Sequence, residues 1–161
     1  MVKVTRSIVV GRAPDEVFAF LADLDRVATW QRGTGVDRVI VAGDDPVGAG
    51  TRFRLERRIG GRLVWLDCRV TTFEPPRRFG YRSREGRRLV LSVDAELVDD
   101  GGAASTRHGG PASRLDWRLE LTTPAYFGPF GALIGRELGR AAERDLVTLR
   151  RLIEASPVSQ R

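Results

Sequence analysis

The sequence predicts an α+β fold: a curved seven-stranded antiparallel sheet wrapped around a long C-terminal helix, with two short helices after strand 1. Three observations carry this. Six of the seven strand-like segments follow one another with mostly short, Gly- or Pro-marked connections, which demand antiparallel pairing. The helical patterns fall only after the first strand and at the C-terminal end. The last of them holds an apolar stripe long enough to cross a whole sheet.

Val2 to Val10 is rich in β-branched residues and partly alternating, the mark of a strand. Pro14 suits a first helical turn, and Asp15 and Glu16 complement the helix dipole there. Val17, Phe18, Phe20, Leu21 and Leu24 then recur at helical spacing. A second short helix runs from Asp25 to Trp30. Val36 to Ala42 is a strand, closed by the turn Gly43-Asp44-Asp45-Pro46. From Thr51 to Ile59 the pattern alternates, with Phe53, Leu55 and Ile59 on one side and Arg52, Arg54, Glu56 and Arg58 on the other. Gly60-Gly61 is a hairpin signal. Arg62 to Glu74, Arg78 to Arg84, Arg88 to Val98 and Arg114 to Leu121 complete the strands. Asp99 to Pro111 is a Gly-, Ala- and Ser-rich hairpin loop. The final helix has Pro129 in its first turn and runs to about Ala155, before Pro157, roughly 40 Å at 1.5 Å per residue. Its stripe includes Phe130, Leu133, Ile134, Leu138, Leu146 and Leu149. A bent sheet gripping one helix cannot close fully around it, so a cavity is expected between them.

The chain has 161 residues, which suits one domain, 1–156, with a short tail, 157–161. Its apolar runs are too short to cross a bilayer, and its start lacks a signal-peptide pattern. Cys68 is the only cysteine, so an internal disulfide is impossible. A cytoplasmic protein, monomer or homodimer, is expected. The net charge is +6, almost all from arginine, since Lys3 is the only lysine. The arginines are dispersed among acids, as in Glu143-Arg144-Asp145, which argues against nucleic-acid binding. His108 is the only histidine and lies in the Gly-rich loop. A lone histidine and a lone cysteine make neither a metal cluster nor a nucleophilic triad, and there is no phosphate-binding glycine loop. No cofactor is expected.

Four stretches carry a family resemblance: Ala13-Pro14-Asp15-Glu16-Val17-Phe18 leading to Trp30, Gly48 to Phe53, Phe73 to Arg78, and Leu146 to Glu154. In these the chain resembles the START/SRPBCC superfamily, the helix-grip fold, and within it the polyketide cyclase/dehydratase branch. The resemblance implies a hydrophobic, polyketide-like or aromatic small molecule held between sheet and helix. It implies Trp65 and Arg69 on the fourth strand as pocket residues, with Trp30 at the entrance and Arg82 on the next strand. Trp65 and Arg69 share a strand face with Asp67; the opposite face carries Val64, Leu66, Cys68 and Val70. Pattern favours the aliphatic face as inward, and the resemblance favours the other.

The remaining ligand-binding candidates are Phe79, Tyr81, Leu91, Val93, Trp117, Tyr126, Phe130, Ile134 and Leu138. Two functions follow. In one, the protein binds its ligand by apolar burial. In the other, it is an aromatase/cyclase or dehydratase: Arg69 stabilises an enolate, Tyr81 or Tyr126 supplies a proton, and an acidic acyl carrier protein delivers the poly-ketone. The sixth strand holds Leu91, Val93 and Ala95 where the cyclases place aromatics, which favours binding. A third class is a lipid carrier or antitoxin-like interaction protein.

Overall fold

A computed structural model of the chain describes residues 1–59, 61–84, 89–101, 110–122 and 125–157, the side chains of 125–127 excepted. The expected Gly-rich loop with His108, the turn at 85–88 and the side chain of Tyr126 lie outside the described residues. Strand β1 (Val2–Val10) leads into helix α1 (Pro14–Ala22), a 3-10 turn (Leu24–Arg26) and the short helix α2 (Val27–Trp30). Then come β2 (Val36–Val41), β3 (Arg52–Ile59), β4 (Arg62–Glu74), β5 (Arg78–Ser83), β6 (Val90–Asp99) and β7 (Ser113–Thr122), and finally helix α3 (Gly131–Ala155). The seven strands form one antiparallel sheet in the order β1-β7-β6-β5-β4-β3-β2. This is the expected α+β architecture. One detail differs. Pro129 lies inside a 3-10 stretch, Ala125–Phe130, and α3 begins at Gly131.

Alternation explains the layering. Leu91, Val93, Ala95 and Leu97 on β6 and Leu115, Trp117, Leu119 and Leu121 on β7 are buried on one sheet face. On β4 the buried residues are Leu66, Cys68 and Val70. The aliphatic face of that strand is therefore inward, as its pattern favours.

Helix α3 covers this concave face unevenly. Its second half buries Ala142, Leu146, Leu149 and Ile153. Its first half stands off: Leu133 is 59% exposed, and Ile134 and Leu138 are only half-buried. Polar ties hold it along the β1 edge. Arg6 Nε donates to Glu143 at 2.7 Å, and Arg12 Nη2 donates to the Glu154 carbonyl at 2.6 Å. The opening lies on the other side, towards β3.

Candidate functional site

Where the first half of α3 leaves the sheet, a cavity of about 570 Å³ remains. Its apolar wall comes from Leu119 and Leu121 of β7, Ile59 of β3, and Ile134, Leu138 and Ala141 of α3. The loop Arg32–Gly35 closes one end, and Arg32, Arg58, Arg144 and Glu137 stand around it, an excess of positive charge. Ile134 and Leu138 are thus sequence candidates that reach the cavity.

One charged residue sits inside the wall. Arg57 on β3 is 2% exposed. Its Nε donates to the Thr34 carbonyl at 2.7 Å, while its Nη2 has no hydrogen-bond partner. Burial lowers its pKa, and nearby Tyr81, Asp145 and Cys68 oppose that shift. A buried guanidinium with an unmet N–H costs stability unless something else meets it.

The loop that bears Thr34 is fixed from α3. Asp145, buried on the helix, accepts the backbone N–H of Gly33 at 2.7 Å and of Thr34 at 2.8 Å. Burial raises the Asp145 carboxyl above its usual 3.8, and the hydrogen bonds and Arg57 counteract part of the rise. The contact is close enough to require glycine: a Cβ on residue 33 would overlap Asp145 Oδ1 and lie 3.1 Å from the Ala141 carbonyl. Gly33→Ala should therefore cost about 1–3 kcal/mol by overpacking, read from urea unfolding. An unchanged midpoint would show that the loop is free to shift.

Tyr81 is buried beside this cluster, and its hydroxyl donates to Gln31 Oε1 at a long 3.4 Å. Burial pushes its pKa up to about 12, so the phenol stays protonated near neutrality. Burial likewise pushes the Cys68 thiol up to about 12, which removes it as a thiolate nucleophile. The indole Nε1 of buried Trp30 has no partner either.

The other candidates separate into groups. Phe79, Tyr81, Leu91, Val93 and Trp117 are buried on the concave face, and Phe53, Phe79 and Tyr81 make edge-on ring contacts at 5.2 and 6.3 Å. They pack the core below the cavity and are not part of its wall. Phe130 is 60% exposed. Trp65, Arg69 and Arg82 are exposed on the convex face, which corrects the placement implied by the resemblance. The physical reason is strand parity: with Leu66, Cys68 and Val70 buried, Trp65 and Arg69 must point outward. Asp67 pairs there with Arg54 at 3.0 Å. The inward arginine is Arg57, one strand earlier.

A half-shell sheet, a helix seated at one end only and an apolar hollow with a buried cation define a ligand-binding helix-grip protein. The chain belongs to the family described as polyketide cyclase / dehydrase and lipid transport, whose match covers residues 1–154. No curated protein matches it. Solved structures share the fold. The protein TTHA0849 from Thermus thermophilus is 20% identical, with 95% of this chain and 97% of that one covered and a TM-score of 0.70. A START superfamily protein from Mycobacterium smegmatis is 13% identical over 96% and 98%, with a TM-score of 0.67. The ZhuI aromatase/cyclase from Streptomyces sp. R1128 is 16% identical over 94% and 93%, with a TM-score of 0.66. Among the described residues no helix is long and apolar enough to cross a membrane, and no group of side chains could hold a metal ion.

Proposed function

We propose that the protein binds a hydrophobic, aromatic or polyketide-like molecule carrying a carbonyl or carboxylate oxygen, in the cavity between β3, β7 and α3. The observation that carries this reading is Arg57, buried in an apolar wall with Nη2 unmet. A ligand oxygen is the group that guanidinium lacks, and a planar fork suits it. The rest of the wall supplies apolar burial.

The test uses two ligands of similar size, 2-naphthoate and 2-ethylnaphthalene. The native protein should prefer the carboxylate by about tenfold or more, the range of a hydrogen bond to a charged group. Arg57→Met should erase that preference while leaving 2-ethylnaphthalene binding in place. Equal preference in both proteins would refute the role of Arg57, and binding of neither ligand would refute the cavity.

A cyclase or dehydratase is the second reading, favoured by Arg57 and the protonated Tyr81 lying in one buried cluster. In that reading Arg57, rather than Arg69, would stabilise a developing enolate, and the cavity would hold a poly-ketone in one conformer. An acidic acyl carrier protein would meet the arginines around the cavity. Cyclised product from a carrier-bound poly-ketone, lost in Arg57→Met, would distinguish chemistry from binding alone.

A further inference from the structure

The convex face of the sheet carries a second feature, unrelated to the cavity. The register sets Arg52 of β3 directly opposite Arg69 of β4, and Arg69 directly opposite Arg82 of β5. Adjacent strands lie about 4.8 Å apart, so three cationic side chains rise from one compact row. Like charges in opposed positions destabilise a sheet. Arg54 and Arg84 flank the row, and Asp67 is the one carboxylate among them. Asp67 is engaged by Arg54 at 3.0 Å. Arg52, Arg69 and Arg84 have no side-chain hydrogen bond or ion pair with any described residue.

These residues wall a groove of about 900 Å³ rather than a flat patch. Ile40 of β2 and Ala42 just after it form its apolar side, and Ile40 is 47% exposed. At one margin the Arg69 guanidinium lies over Gly50: a Cβ there would touch Nη2 at 3.5 Å and Nε at 3.8 Å.

We propose that this groove binds a phosphate-bearing small molecule of about nucleoside-diphosphate size. Arginines aligned on three neighbouring strands concentrate the N–H donors that phosphate oxygens accept. The anion would also relieve the repulsion between Arg52 and Arg69. Ile40 offers an apolar contact for the organic part of the ligand. The row spans three strands and then stops, which suits two neighbouring phosphates better than the extended backbone of a nucleic acid.

The experiment is calorimetric titration of the full chain with pyrophosphate and with ADP at moderate ionic strength. Both should bind, and Arg69→Ser and Arg52→Ser should each weaken binding by about tenfold or more. Arg151→Ser, which removes the same charge from the exposed side of α3, should change it by less than about twofold at moderate ionic strength. The urea midpoint of no variant should fall below that of the native protein, which separates lost binding from lost folding. Failure of both probes to bind overturns the proposal. So does an equal loss in Arg151→Ser, which would mean non-specific attraction. Tighter, Arg69-dependent binding of a single-stranded oligonucleotide would also overturn it, replacing the small molecule with a polymer.

Discussion

Leu149→Ala is expected to destabilise the protein by about 3–4 kcal/mol, near the middle of the range for a buried leucine truncated in a tight core. Leu149 is fully buried in the half of α3 that seats on the sheet. Its removal leaves a void that a helix tied at Glu143 and Glu154 cannot collapse into. The same change at Leu133, near the start of the helix, should cost no more than about 0.5 kcal/mol, because that side chain is already 59% exposed. Urea unfolding of both variants measures the difference. Equal costs would mean that the first half of α3 is also docked and that the cavity closes in solution.

Asp145→Ala should also be damaging, at about 1–3 kcal/mol. It strands the N–H groups of Gly33 and Thr34, and the buried Thr34 donor alone costs about that much when unmet. It also releases the loop whose Thr34 carbonyl holds Arg57, so loss of preference for 2-naphthoate should accompany the loss of stability. The pH dependence has a definite sign. Burial raises the carboxyl above 3.8 in the folded state, so the folded protein holds this proton more tightly than the unfolded chain does. The contribution of Asp145 is then fully present below pH 3.8 and declines as pH rises through the folded value. Asp145→Asn cannot titrate. The stability of the native protein relative to Asp145→Asn should fall as pH is raised from 3.8, and a rise over that window would show the carboxylate to be favoured in the fold.

Much of the architecture was legible because alternation and helical spacing are local. The inward leucines of β6 and β7 and the second half of the α3 stripe stand where period two and period 3.6 put them. The site was less legible. Arg57 has the same parity as Phe53, Leu55 and Ile59, so alternation assigns it to the inward face. Its charge conceals it, since an arginine in a strand is ordinarily solvated. Trp65 and Arg69 show the reverse error: residue types that suit a pocket, on a strand whose parity turns them outward. Asp145 sits among charged neighbours in Glu143-Arg144-Asp145, and nothing local separates the buried acid from the exposed ones.

By itself the amino-acid order determined the strands, the terminal helix, the sign of the surface charge and the family, since each depends on neighbours a few positions apart or on stretches of matching residues. Only the tertiary structure decided which half of α3 docks, which arginine is enclosed and which three are aligned across β3, β4 and β5. Those outcomes depend on the register of strands distant in sequence and on where a rigid helix meets a twisted sheet. Contacts of that kind are chosen by competition among whole faces, which no single segment encodes.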